Sequence, residues 1–236
     1  MTAETWPNLV TMFFDQAAEK RDAPFLWAKT DGTYHDFSWS QAASIIEALA
    51  HGLKAAGVNP GDRVVLISEN RPEWLMADMA IMAAGGISVP AYTTNTTADH
   101  VHILSDSGAV GVIVSNDRLA KSLIPAAEQV ESAKFIVGID ALSDTGTGTL
   151  QSHTWASMTD SNDKEGTIKE EAQSLKRTDT ACIIYTSGTG GAPKGVLLSH
   201  GAILHNCAGS ADAIEPLGLD DNVFLSFLPL SHSYEH

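Results

Sequence analysis

The sequence has little cysteine: two residues, Cys182 and Cys207, in 236. That excludes a disulfide framework, and Cys182, inside an apolar run, reads as inert core. Positive charge is also scarce. Fourteen Lys and Arg stand against 29 Asp and Glu, for a net charge of −15. Such a chain is a poor partner for nucleic acid or an anionic membrane surface. If it binds an anionic nucleotide, it must do so locally, with backbone amides and single cations. Long apolar runs are missing too. The longest, residues 77–92, is broken by Asp78, Gly85, Gly86 and Pro90 and is too short to cross a bilayer. Residues 1–7 hold neither a basic region nor an apolar stretch, so no secretion signal is read there, and a cytoplasmic location is expected. There is no His-Glu-x-x-His motif. His200 and His205 lie five apart, off the helical spacing for shared ligation. His100 and His102 point to different sides of a helix, and a surface role is expected for them.

What is present supports a folded α/β protein. Hydrophobic residues make up 44% and charged residues 18%, enough apolar matter for a core in one large domain or two small ones. Residues 9–20 carry a helical apolar stripe through Phe13, Phe14 and Ala17. Residues 25–37 read as a hairpin turning at Asp31-Gly32. Ser38 opens a long helix with Ile46, Leu49 and Leu53 on one face, and Gly57 stops it. A buried strand over 63–67, a helix starting at Pro72 and a strand near 87–90 form a βαβ unit, which implies a parallel sheet. The rhythm continues with a helix over 97–106, a strand over 110–114, a helix over 118–130 kinked at Pro125, and a strand over 135–139. Residues 143–149 read as an exposed loop. Residues 159–180, dense in charge, read as a solvated connection, mobile or helical. Ser199 caps a helix over 201–214, and 223–228 reads as a strand ended by Pro229.

The chain turns on Tyr185-Thr186-Ser187-Gly188-Thr189-Gly190-Gly191-Ala192-Pro193-Lys194-Gly195. Apolar, strand-like runs lead in and out. Glycine lets backbone amides approach a ligand closely, and successive amides in a turn form an anion-binding concavity. Three hydroxyls and one lysine complete a donor set suited to a polyphosphate. The spacing is not the Walker pattern, because Pro193 and Gly195 stand where Gly and Ser or Thr are required. Nor is it Gly-x-Gly-x-x-Gly opening a helix. A plain surface hairpin is the alternative.

This stretch closely resembles the phosphate-binding signature of the adenylate-forming enzymes, usually Tyr-Thr-Ser-Gly-Thr-Thr-Gly-x-Pro-Lys-Gly, with Gly190 in place of the second threonine. The superfamily includes acyl-CoA synthetases, adenylation domains of peptide synthetases, and luciferases. A second stretch, Leu228-Pro229-Leu230-Ser231-His232-Ser233-Tyr234-Glu235, resembles the motif lining that family's acyl and adenylate pocket, in the wording of long-chain fatty acyl-CoA synthetases. The resemblance implies a layered βαβ sheet with flanking helices, the N-terminal part of the family's large domain. Residues 1–60 would belong to an incomplete second subdomain and 61–236 to the α/β subdomain carrying the loop. It implies ATP, Mg²⁺ and CoA, and two half-reactions: a carboxylate attacks the α-phosphorus of ATP, then a thiol takes the acyl group. Thr186, Ser187, Gly188, Thr189, Gly190, Gly191 and Lys194 would hold phosphate, Thr186 would lie near Mg²⁺, and His232 would help place the carboxylate as the catalytic-site histidine. Later family motifs are absent from these 236 residues, so an N-terminal fragment inactive by itself is expected, with residues 1–60 lacking part of their partner sheet and the apolar face thus exposed driving homodimerisation. A non-catalytic nucleotide- or acyl-binding module stays open, as does another adenylate-forming ligase such as an aryl-CoA ligase or a peptide synthetase adenylation domain.

Overall fold

The computed structural model describes residues 5–160, 168–186, 192–218 and 223–232. A helix α1 (Leu9–Lys20) leads into an antiparallel hairpin, β1 (Pro24–Thr30) and β2 (Thr33–Ser38). The long helix α2 (Trp39–Ala55) follows. Then come β3 (Arg63–Ile67), α3 (Pro72–Ala83), β4 (Ile87–Pro90), α4 (Thr97–Ser107), β5 (Gly111–Val114), α5 (Asp117–Ala127) and β6 (Phe135–Gly138). The chain continues with β7 (Gln151–Thr154), α6 (Trp155–Thr159), α7 (Ile168–Ala172), β8 (Thr180–Thr186), β9 (Lys194–Ser199) and α8 (His200–Ile214). The sequence pattern assigned no element to residues 151–159.

Seven strands form one sheet in the order β7-β6-β5-β3-β4-β8-β9. All neighbours pair parallel except β8 and β9, which are antiparallel. β3, β4, β5, β6 and β8 are buried along most of their length, as a parallel sheet requires, whereas the edge strands β7 and β9 are largely exposed. Alternation divides β3 between two cores. Val64 and Leu66 join α1, α2 and α3 in one, and Val65 and Ile67 join α4 and α5 in the other. β5 and β6 divide likewise, with Ile113 and Val137 on the first side and Val112 and Ile136 on the second. At the start of β5, Gly111 is needed because an added Cβ would come within 2.1 Å of the Phe135 ring.

Caps set the helix starts. Ser38 accepts from the Gln41 amide and Gln41 answers to the Ser38 amide, a reciprocal capping box. Thr96 and Asp99 repeat it at α4.

Three expectations need correction. His100 is buried, not superficial, with its Nδ1 lacking a hydrogen-bond partner. It faces inward because α4 turns that side onto the sheet. Residues 168–177 are more than solvated connection. Ile168 and Ala172 are buried, the Asn8 amide donates to the carbonyls of Ala172 and Leu175, and Arg177 donates to the Trp6 carbonyl. Residues 223–228 form no strand: among the described residues no ladder partner pairs with them, and Val223, Phe224, Leu225 and Phe227 are exposed. A β-prone run without a partner edge has nowhere to place its backbone bonds.

Candidate functional site

The C-terminal ends of β3, β4, β5, β6 and β8 open on one edge of the sheet, where open α/β sheets bind ligands. The candidate phosphate loop leaves this edge from β8 and returns as β9. Its limbs are paired up to the last register position, where Thr186 stands opposite Lys194. Both are exposed. Paired positions in an antiparallel ladder have Cα atoms roughly 5 Å apart, so one hydroxyl and one cation flank the mouth of the loop. Ser187, Gly188, Thr189, Gly190 and Gly191 lie outside the described residues. At the base of β9, Gly195 passes close over the incoming strand: an added Cβ would come within 2.8 Å of Ile183 and 3.2 Å of the Tyr185 ring.

Tyr185 is buried, and its hydroxyl donates to Asp106 Oδ2 at 2.7 Å. Burial, and then the carboxylate that accepts its proton, push the phenol well above its usual value. It therefore stays a donor at any working pH. On the outgoing limb, His102 Nε2 lies 2.8 Å from the Pro193 carbonyl oxygen.

His232 is exposed and follows a turn in which its backbone amide donates to the Pro229 carbonyl. Leu230 and Ser231, just before it, are buried. The turn is tied to the loop after β3. Asn70 Nδ2 donates to the Leu228 carbonyl at 2.7 Å and to Ser226 Oγ at 3.1 Å, while the Leu230 amide donates to Asn70 Oδ1. β3 and β8 are separated only by β4. At the usual strand spacing their loops are roughly 10 Å apart, so the His232 segment and the phosphate loop share one edge.

The residues beside Asn70 fix the same loop to its other neighbours. Burial alone would raise the Glu69 carboxyl. Hydrogen bonds from Ser115, its own backbone amide, Asn116 and Arg118 outweigh that and hold it at about 2. Arg71 pairs with Glu73 at 2.8 Å and with Asp140 at 3.0 Å. Strand order reverses between β3 and β5, and this network lies at that switch point.

Sequence reasoning singled out Thr186, Lys194 and His232, and it did not point to Asn70, His102 and Asp106 as partners of these segments. Only the last two carry a signal: they are four apart on α4, off its buried stripe. Among the described residues no group of three His, Cys, Asp or Glu side chains is placed to hold a metal ion.

A seven-stranded, mostly parallel sheet with helices packed on both faces is an open α/β fold of the doubly wound class. The profile of the AMP-binding enzymes matches residues 13–236, and the chain belongs to that family. It is 32% identical over 225 residues to the long-chain-fatty-acid–CoA ligase FadD15 of Mycobacterium tuberculosis, covering 95% of this chain and 36% of that protein. It is 34% identical over 223 residues to the peroxisomal long chain acyl-CoA synthetase 7 of Arabidopsis thaliana, covering 88% of this chain and 30% of that protein. The chain thus spans about a third of the length of these relatives. Among solved structures it matches the O-succinylbenzoate coenzyme A synthetase of Bacillus subtilis in complex with AMP. There the TM-score is 0.69 at 21% identity, over 96% of this chain and 50% of that one, a likeness of fold. No helix among the described residues is long and apolar enough to cross a membrane.

Proposed function

We propose that this chain supplies the ATP-phosphate site of a long-chain fatty acid–CoA ligase. The observation that carries the proposal is the Thr186–Lys194 pair at the mouth of a loop on the C-terminal edge of the sheet. The names of the relatives favour a fatty acid as the carboxylate and CoA as the thiol.

In this reading Lys194 neutralises the β- and γ-phosphates, and Thr186, with Ser187, Gly188, Thr189, Gly190 and Gly191, donates to their oxygens. Catalysis of attack at phosphorus is mostly positioning and charge neutralisation, which such a loop provides. Mg²⁺ fits the donor set as an ion that keeps waters and phosphate oxygens and takes few protein ligands, with the Thr186 hydroxyl as the candidate here. His232, on a turn anchored by Leu230 and Asn70, orients the fatty carboxylate. Attack of the carboxylate on the α-phosphorus breaks the α–β anhydride bond and releases pyrophosphate, and transfer of the acyl group from the adenylate to the CoA thiol releases AMP. The division into an N-terminal segment (1–60) and a loop-bearing subdomain (61–236) belongs to the same proposal, as does a cytoplasmic location, consistent with two unpaired cysteines.

The test is calorimetric titration of the 236-residue chain with ATP and Mg²⁺, followed by pyrophosphate release with a sixteen-carbon fatty acid and CoA. Binding supports the phosphate-site reading, and its absence removes it. Binding without pyrophosphate release is the result expected of a chain that holds the phosphate site and is inactive by itself, as a nucleotide-binding module also is. Release with an aromatic acid in place of the fatty acid would move the substrate class to an aryl ligase.

We also propose a homodimer formed through the exposed Val223, Phe224, Leu225 and Phe227, because contiguous exposed apolar side chains mark interaction sites.

A further inference from the structure

We infer that α4 is the mount of the phosphate loop, and that His102 and Asp106 are its two positioning residues. This rests on the phosphate-loop reading above. The two side chains are four residues apart and so lie on the same face of the helix. Asp106 Oδ2 accepts from the Tyr185 hydroxyl at 2.7 Å, and Tyr185 immediately precedes Thr186. His102 Nε2 lies 2.8 Å from the Pro193 carbonyl, and Pro193 immediately precedes Lys194. One turn of one helix therefore grips each limb of the hairpin one residue before its candidate phosphate contact.

The chemistry of each grip is defined. A carbonyl oxygen only accepts, so the His102 nitrogen facing it carries the proton. The same ring packs on Tyr185 edge to face, with centroids 5.9 Å apart and planes at 84°, an arrangement that aromatic rings favour. Thus His102 touches both limbs, one through its N–H and the other through its ring.

The mount itself is held at both ends. Thr96 and Asp99 box its N-terminus. At its C-terminus Arg63, on the central strand β3, donates to the carbonyls of Ser107 and Gly108. Ile103 and Leu104 fix its inner face in the second core. Anchoring a flexible ligand loop to such an element sets the separation of Thr186 and Lys194 before ligand arrives, which lowers the ordering cost of binding.

Three variants test this: His102→Phe keeps a ring without the donor, His102→Gln keeps an N–H donor without the ring, and Tyr185→Phe removes the bond to Asp106. Hydrogen–deuterium exchange of the ligand-free chain is compared for peptides covering 180–186, 192–199 and the control strand 63–67. In His102→Phe, exchange over 192–199 should quicken roughly tenfold, the value of one lost hydrogen bond, with 63–67 unchanged and His102→Gln restoring it. ATP affinity should fall in step. Equal exchange over 192–199 in His102→Phe and the parent chain overturns the inference. If His102→Phe quickens 63–67 as well, Tyr185→Phe decides: faster exchange confined to 180–186 supports the mount, and unchanged exchange there overturns it. If the parent chain binds no ATP, the phosphate-site reading falls, while the exchange data still decide whether α4 holds the hairpin.

Discussion

Thr186 and Lys194 face each other across the last register pair of β8 and β9. A neutral donor and a cation are thus fixed at one separation by a backbone ladder. Charge-assisted hydrogen bonds are the stronger kind. Lys194→Ala is therefore expected to weaken binding of ATP and of pyrophosphate by roughly ten- to a hundredfold, and Thr186→Ala by about tenfold or less. Calorimetry checks both. Unchanged affinity in both variants would remove the loop from the phosphate site. Gly190→Thr restores the hydroxyl usual at that place in the family, and tighter binding is the expected result.

Much of the frame could be read in the sequence because its signals are local. The stripe of α1, the Ser38 cap, the all-apolar β3 and Pro72 at the first turn of α3 each reside within a few residues. The loop was legible as a run of residue types. What holds it was not. His102 and Pro193 are 91 residues apart, Tyr185 and Asp106 are 79 apart, and Asn70 and Leu228 are 158 apart. Nothing in a local period encodes such partners. β7 escaped notice because an exposed edge strand of four mostly polar residues lacks the apolar run that marks the other parallel strands. The 223–228 run erred in the opposite direction: its β-prone composition is a strand signal, but pairing depends on an edge elsewhere.

Asn70 bonds to the His232 turn as both donor and acceptor. Asn70→Asp keeps an acceptor for the Leu230 amide but loses both donations. It should free the turn, and exchange of amides over 226–232 should quicken roughly tenfold. β3 should be unaffected, since the Asn70 side chain lies outside the sheet. Equal exchange in the variant would show that Leu230, buried in the first core, anchors the turn without help.

Burial lowers the imidazole of His100 to about 4, opposed only weakly by Asp99. Burial does the same to His200, against Asp179 and Asp78. Both are neutral when folded at pH 7. An unfolded histidine takes up its proton near pH 6.5, so between about 6.5 and 4 the unfolded chain binds more protons. Stability from these two sites is complete above pH 6.5 and is lost as pH falls toward 4. The melting temperature should drop over that window, and His100→Leu should flatten part of the drop. Glu69, held at about 2, contributes lower on the scale. Its stabilisation is present above about 4.5 and is lost as pH falls toward 2. A melting temperature unchanged between pH 6.5 and 4 would show that both histidines are protonated without cost.

Self-association is the prediction most exposed to charge. Val223, Phe224, Leu225 and Phe227 present an apolar run to water, and burying it between two copies is favourable by about 25 cal/mol for each Å² removed. Against this, each copy carries a net charge of −15, and two such copies repel. Salt separates the two effects, since the screening length shrinks from about 10 Å at 0.1 M to about 3 Å at 1 M. Dimerisation through this run should therefore strengthen as salt is added, the reverse of an assembly held by ion pairs. Light scattering across a dilution series at both salt concentrations measures it, with Phe224→Ser and Phe227→Ser returning the monomer mass. A monomer mass at high protein concentration in 1 M salt would show that four exposed apolar side chains do not offset the entropy of association, and the dimer would be abandoned.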